Sequence, residues 1–185
     1  ALPISHNWQV STQNGTPGTW TDVANGGVYA GAKTTTLTIT APPVSMNGYV
    51  YRDSVSTSPC TPKASNIVKL TVNPLPTIVI AASPYKKLFP GLTTTLFSTV
   101  TPAAATGGYT WLRNGLQVPG AASSLVVDVN GLGDYSLRVN DINGCTNTSN
   151  IVSITDSASG KVFIYPTPNS GQFQVRYYSI INNTG

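Results

Sequence analysis

The feature that most restricts the fold of this chain is an internal repeat. The tetrapeptide Ser-Asn-Ile-Val occurs at residues 65–68 and again at residues 149–152, each time shortly after a Cys-Thr pair. Further matches precede both copies in the same order: Trp8 with Trp111, Gly31-Ala32 with Gly120-Ala121, Leu37 and Ile39 with Leu125, Val127 and Val129, and residues 49–52 with residues 135–138. A repeat of this spacing predicts two similar units, each near the roughly 100 residues of a small sandwich domain.

Composition and patterning predict that both units consist of β-strands. Only 9% of the residues are charged, Gly and Pro are frequent and Glu is absent, which disfavours helical surfaces. In the second unit, short alternating or β-branched runs occur at residues 94–100, 109–113, 125–129, 134–140 and 150–155. Turn dipeptides such as Asn114-Gly115 and Asn143-Gly144 separate these runs. The regular spacing predicts an all-β sandwich.

The second unit also offers candidate core residues. Trp111 falls on the strand where immunoglobulin-type sandwiches bury a Trp, and Tyr135 occupies the place of a tyrosine corner. Tyr135, Leu137 and Val139 share one face of their strand, which predicts that they are buried. The position of the second core Cys of antibody domains is assigned to Tyr51 in the first unit and to Leu137 in the second, so that bridge is absent.

The first unit is shorter at its front. Only seven residues precede Trp8, whereas more than thirty lie between Pro76 and Trp111. We therefore expect two strands to be missing from the first sandwich and the parent protein to extend N-terminally. Residues 73–76, Asn-Pro-Leu-Pro, predict a stiff linker. The predicted organisation is a partial domain at 1–73, a second domain at 74–157 and a separate segment at 158–185.

The two cysteines, Cys60 and Cys145, stand at equivalent places in the two units. They should therefore lie about a domain length apart, too far for a disulfide with each other. Cys60 could pair into the missing strands, and Cys145 is either a free thiol or a partner for another chain.

Aromatic and glycine motifs recur through both units. The first contains Trp-Gln-Val-Ser at 8–11, Trp-Thr-Asp-Val at 20–23 and Asn-Gly-Tyr-Val-Tyr-Arg at 47–52, and the second contains a Tyr-x-Trp, Asn-Gly, Gly-Ala, Gly-x-Tyr and Asn-Gly-Cys-Thr series. These motifs resemble the Ig-like repeats of large secreted proteins of the Bacteroidota phylum. The resemblance covers about residues 1–157 and implies tandem immunoglobulin-like β-sandwiches, the first incomplete at its N-terminus.

The C-terminal segment has a different pattern. An apolar strand at 162–165 is followed by Pro-Thr-Pro-Asn-Ser-Gly at 166–171 and by a second alternating strand. Each proline fixes φ and lacks an N–H, so the two prolines end the first strand before the chain reverses. Phe173 and Val175 are then predicted to pack over Val162 and Ile164 in a hairpin.

This segment resembles the start of the type A C-terminal sorting domain of the type 9 secretion system, an apolar strand followed by Tyr-Pro-Asn-Pro, a short polar step, Gly and a second strand. Thr167 stands where the family has Asn, and only the first portion of that domain is covered. The resemblance implies recognition by the outer-membrane shuttle and translocon proteins of that system through Tyr165, Pro166, Pro168, Asn169, Gly171, Phe173 and Val175. The alternative is an ordinary Pro-Gly turn between two strands.

The residue types of this chain disfavour a catalytic site. His6 is the only histidine and Glu is absent, so a His-rich metal site, a Ser-His-Asp triad and a carboxylate pair are all hard to assemble. Residues 141–144, Asp-Ile-Asn-Gly, begin like a calcium loop but lack the later bidentate acid, which favours a simple turn. Basic residues are scattered, with only Lys86 and Lys87 adjacent, which disfavours nucleic acid. We predict neither enzyme activity nor a cofactor or metal.

Two further kinds of site are candidates. Ser157, in Asp-Ser-Ala, resembles the Asp-Ser/Thr-apolar acceptors at which Bacteroidota O-glycosylate exported proteins. Trp20, Tyr29 and Tyr177 are candidates for stacking against surface glycans if the modules bind carbohydrate.

The predicted function is therefore that of a non-catalytic, C-terminal part of a large exported protein. Its Ig-like modules would act as a stalk or adhesin, and the last segment would be a signal for type 9 secretion and attachment to the cell surface. The alternative is that these modules are spacers or carbohydrate-binding modules of a secreted hydrolase whose catalytic domain lies upstream.

Overall fold

The computed structural model of the chain describes residues 3–120, 122–158, 162–165 and 171–176. The strands are β1 (Ser5–Ser11), β2 (Thr21–Asp22), β3 (Tyr29–Ala30), β4 (Thr38–Ile39), β5 (Val50–Ser56), β6 (Lys63–Ala64), β7 (Val68–Lys69), β8 (Thr77–Ser83), β9 (Lys87–Leu88), β10 (Thr93–Thr101), β11 (Ala104–Arg113), β12 (Leu116–Gln117), β13 (Ser124–Asp128), β14 (Gly133–Asp141), β15 (Thr146–Thr148), β16 (Val152–Asp156), β17 (Phe163–Tyr165) and β18 (Gln174–Arg176). Two single turns of 3₁₀ helix, Val44–Met46 and Val129–Gly131, complete the elements. The described residues form no helix with the length and apolarity of a membrane span.

The chain divides into two compact units, Ala1–Pro74 and Leu75–Gly185. In the second unit, a three-stranded sheet of order β13-β10-β8 faces a sheet of order β12-β11-β14-β16-β9. The short β9 joins its sheet parallel to β16, and β15 also pairs with β14. Strands β8, β10 and β13 take the places of strands A, B and E of an immunoglobulin sandwich, and β11, β14 and β16 take those of C, F and G. The predicted all-β, immunoglobulin-like fold class is confirmed.

The core of the second unit contains the residues that the sequence predicts. Trp111, Leu137 and Val139 are fully buried, and Tyr135 is 3% exposed. The indole N–H of Trp111 donates to the carbonyl of Ala122 at 3.0 Å. The hydroxyl of Tyr135 donates to the carbonyl of Gly131 at 2.5 Å, which is the hydrogen bond of a tyrosine corner.

Among its described residues, the first unit has counterparts of β12, β11, β14, β15 and β16 in one sheet and only part of the facing sheet. Its main sheet has the order β2-β1-β5-β6, with β7 also on β5, and a two-stranded sheet of β3 and β4 lies against it. The buried apolar residues of this unit are Val23, Ala32, Met46, Val50 and Tyr51, while Trp8 is only half-buried. Among the described residues of this unit, no strand occupies the places that β8 and β10 occupy in the second unit.

Strand pairing corrects the sequence alignment of the two units. Trp8 pairs with Asp53 in the β1–β5 ladder, whereas Trp111 pairs with Leu137 in the β11–β14 ladder. Asp53 is therefore the counterpart of Leu137, and Tyr51 that of Tyr135. The assignment of Tyr51 to the core Cys position is wrong by two residues, because Tyr49 and Tyr51 lie on the same face and either one fits the repeat by sequence.

The repeated tetrapeptide marks an interruption in the last strand of each unit. The N–H of Ser149 donates to the carbonyl of Leu137 at 2.9 Å, and its hydroxyl accepts the N–H of Leu137 at 2.9 Å. Ser65 makes the same two bonds to Asp53, at 2.8 and 2.9 Å. Each serine thus provides hydrogen-bond partners for the backbone N–H and C=O of the residue opposite. It does so where its own strand is interrupted, between β6 and β7 or between β15 and β16.

Candidate functional site

The C-terminal segment contains the predicted hairpin. Strands β17 and β18 pair antiparallel, with Phe163 opposite Arg176, Ile164 opposite Val175 and Tyr165 opposite Gln174. Since directly opposed residues point to the same side, Ile164 and Val175 share one face of the hairpin.

That face of the hairpin is apolar and exposed. Val162, Ile164, Phe173 and Val175 are 68%, 54%, 57% and 50% exposed. We call these four side chains the hairpin face. The side chain of Phe163 instead stacks on Phe89 of the second unit, with ring centroids 5.5 Å apart and an interplanar angle of 24°. The aromatic contact holds the hairpin against the sandwich while the hairpin face remains in solvent.

The structure describes part of the predicted recognition set. Tyr165 ends β17, Gly171 has a φ of 99° that favours glycine, and Phe173 and Val175 belong to the hairpin face. Pro166, Pro168 and Asn169 lie outside the described residues. The role of the whole set in sorting stays a prediction.

Ser157 is half-buried at the end of β16. Its N–H donates to the carbonyl of Leu88 at 2.9 Å and to the Asp156 carboxylate at 3.0 Å, and its hydroxyl lies 3.4 Å from the carbonyl of Ala158. Its O-glycosylation stays a prediction.

Two of the three aromatic candidates for glycan stacking, Trp20 and Tyr29, are engaged in protein contacts. The guanidinium of Arg52 lies 4.1 Å from the ring centroid of Trp20, a cation–π contact that covers one face of the indole. The hydroxyl of Tyr29 is 3.0 Å from that of Tyr51, and the two rings meet edge to face. Burial and this hydrogen bond raise the pKa of Tyr51. Tyr177 lies outside the described residues.

Asp141, the first residue of the calcium-like stretch, has a structural role in a turn. One oxygen of the buried Asp141 carboxylate accepts the N–H groups of Asn143 and Cys145, both at 2.8 Å, and so closes the turn between β14 and β15. Within the described ranges, no cluster of three His, Cys, Asp or Glu side chains could hold a metal. Cys60 and Cys145 are free thiols.

Among the described residues of the first unit, the two strands that the sequence predicts to be missing are absent, which leaves an open surface there. We call it the open face, a concavity of about 180 Å³ lined by Lys69 and by the largely apolar side chains of Trp8, Leu37, Ile39, Tyr51, Val68 and Leu70. Val68 pairs with Tyr51 as Val152 pairs with Tyr135, yet Val68 is 57% exposed whereas Val152 is 5% exposed. The individual residues were not assigned to this surface from the sequence; the repeat was the available signal, because it matches the exposed Val68 with the buried Val152.

No protein-family model matches this chain, and no curated protein matches it. Among solved structures, it is similar to the N-terminal four Ig domains of Dscam1 isoform 1.9, at 16% identity and a TM-score of 0.38, with 83% of this chain and 37% of that chain covered. It is also similar to the N-terminal eight Ig domains of Down Syndrome Cell Adhesion Molecule isoform 1.30.30, at 15% identity and a TM-score of 0.40, with 88% of this chain and 20% of that chain covered. The chain thus spans well under half the length of either structure.

Proposed function

We propose that this chain is a non-catalytic part of an exported surface protein. Its two Ig-like units serve as a stalk or adhesin, and its C-terminal hairpin begins a sorting signal for type 9 secretion and attachment to the cell surface. The observation that carries the proposal is the hairpin face, in which four apolar side chains are at least 50% exposed on a two-stranded element.

Elementary energetics explains why such a face suits a recognition signal. An isolated two-stranded hairpin is marginal in water, and exposed apolar side chains add nothing to its stability. Burial of one such side chain against a partner contributes about 1.5–3 kcal/mol. Because Phe163 stacks on Phe89, the hairpin is held with its apolar side outward, where an outer-membrane shuttle or translocon protein can cover it.

The two units contribute geometry rather than chemistry in this proposal. They are compact units, and the proline-containing segment between them favours extended backbone. We place the mature protein outside the outer membrane, where such units project distal regions toward surface glycans or other cells.

The test is an export assay in a strain with a working type 9 secretion system. The parent protein that contains this chain is compared with a version from which residues 161–185 and everything beyond are deleted. We expect the parent at the cell surface, accessible to added protease, and the shortened protein in the periplasm. Normal surface export of the shortened protein would refute the proposal.

A point variant separates recognition from folding. The double variant Ile164→Ser with Val175→Ser removes two of the four apolar side chains of the hairpin face, and Phe97→Ser changes an exposed apolar side chain on the second unit. We expect the first variant to be retained in the periplasm and the second to be exported. Circular dichroism of both purified proteins checks that the sandwiches are intact.

A further inference from the structure

We propose that the open face of the first unit is an acceptor site for an antiparallel pair of polypeptide strands. The second unit shows what covers the same positions there: β8 and β10 pack against Trp111, Tyr135 and Val152, all at most 5% exposed. The first unit presents the counterparts of these positions with neither strand in place among its described residues.

The correspondence of the two units rests on hydrogen bonds as well as on sequence. The indole N–H of Trp8 donates to the carbonyl of Thr34 at 3.0 Å, as that of Trp111 donates to Ala122 at 3.0 Å. Leu37 follows Thr34 by three residues, as Leu125 follows Ala122. Strand β4 is therefore the counterpart of β13.

Strand β4 has an edge ready for pairing. Its Thr38 and Ile39 pair with β3, and the N–H of Thr40 donates to the carbonyl of Val28 at 2.9 Å. The ladder alternates, so the peptide groups of Leu37 and Ile39 point to the opposite edge, and no other described strand pairs with β4 there. In the second unit, β13 uses this edge to pair with β10.

The side-chain amide of Asn66 lies where the second strand, the counterpart of β8, would pass. In the second unit, Asn150 Nδ2 donates to the carbonyl of Ile80 on β8 at 3.1 Å, and its Oδ1 accepts the N–H of Ile80 at 2.9 Å. Asn66 holds the same place in the repeated tetrapeptide. Its side chain is exposed, and in the described part of the chain only its backbone carbonyl is hydrogen-bonded, by the Ser65 hydroxyl at 2.8 Å.

These features define the chemistry of the ligand. It is a β-strand pair with apolar side chains at alternate positions, one strand adding to β4 and the other bonding Asn66 through its backbone. The unpaired peptide groups at the edge of β4, the exposed Val68 and the side-chain amide of Asn66 together fit a polypeptide ligand better than a lipid or a sugar. The site is separate from the hairpin face, so it stands whether or not the proposed sorting role holds.

The test supplies such a strand pair to the full chain. Residues 76–103, which contain β8 and β10, are fused directly ahead of Ala1, which reproduces the spacing to Trp8 found before Trp111. The matched control is the same fusion with Ser at the inward-facing Ile78, Ile80 and Leu96 of the added copy. Hydrogen exchange is followed in peptides that cover residues 36–41 and 50–55.

We expect the apolar fusion to slow exchange at β4 by at least about tenfold relative to the Ser control. Asn66→Ala should weaken this protection, and exchange in the second unit should not change. Equal exchange in the two fusions would overturn the proposal. Protection of β4 in the unfused chain that rises with protein concentration would assign the open face to a second copy and would also overturn it.

Discussion

His6 and Asp53 form a close polar pair on adjacent strands: the imidazole Nδ1 lies 2.6 Å from Oδ2 of the carboxylate. The other carboxylate oxygen accepts the N–H of Asn7 at 3.1 Å. Asp53 is 8% exposed and takes the place of the fully buried Leu137 of the second unit. A hydrogen-bonded pair thus replaces an apolar core residue beside the open face.

Removal of the imidazole should destabilise the first unit. His6→Ala leaves one oxygen of a nearly buried carboxylate without its partner, and we expect a loss of about 1–2 kcal/mol in the free energy of unfolding. The double variant His6→Leu with Asp53→Leu removes both polar groups and should cost less than the single change. Urea unfolding gives the free energy of unfolding of the parent and of both variants. A His6→Ala protein as stable as the parent contradicts the prediction.

The hydroxyl of Ser149 should matter more than its size suggests. Ser149→Ala leaves the buried N–H of Leu137 without an acceptor, so we expect a loss of about 1–3 kcal/mol in the unfolding free energy of the second unit. Ser153→Ala is the matched control, because its hydroxyl bonds only the exposed Asp134 carboxylate. Equal stability of the two variants in urea would show that the repeated serine is dispensable.

The tyrosine corner gives a prediction about pH. Burial raises the pKa of Tyr135 above its ordinary value of 10, since the neutral phenol is favoured in the folded state. Its contribution to stability is therefore complete below pH 10 and is lost as the pH rises through the folded pKa. In an absorbance titration at high pH, Tyr135 and Tyr51 should ionise later than exposed tyrosines, and Tyr135→Phe should lower the amplitude of that late step by one tyrosine. An unchanged late phase would contradict this.

Tyr135→Phe should also lower stability at neutral pH. The change deletes the hydroxyl that donates to Gly131 and leaves the ring in place, so we expect a loss of about 1 kcal/mol. Tyr85→Phe is a control at an exposed ring. A loss of similar size in both variants would rule out a specific contribution from the corner.

The stacking of Phe163 on Phe89 should hold the hairpin to the second unit. We expect Phe163→Ala or Phe89→Ala to speed hydrogen exchange at β17 and β18, and the double variant to add little to either change, because both remove the same contact. Phe97→Ala changes an exposed ring elsewhere and should leave the hairpin unaffected. Fully additive effects would show that the two rings act independently.

Much of the fold could be predicted because its signals are local. The alternation of apolar and polar residues in β14 and the glycine-containing turns predicted the strands. The positions of Trp111 and Tyr135 predicted the sandwich core. The register of the first unit could not be predicted, since Tyr49 and Tyr51 satisfy the same alternation. Only the pairing of Trp8 with Asp53 selects between them.

The candidate sites also differ in how far the sequence alone predicts them. The hairpin follows from its own residues, whereas the engagement of Trp20 by Arg52 depends on strands that are distant in sequence. The sequence by itself determined the strands, the repeat and the reversal of the C-terminal segment, because propensity, alternation and turn geometry act over a few residues. Tertiary structure alone decided which matched positions are covered, because burial depends on the strands that pack above a residue and not on the residue itself.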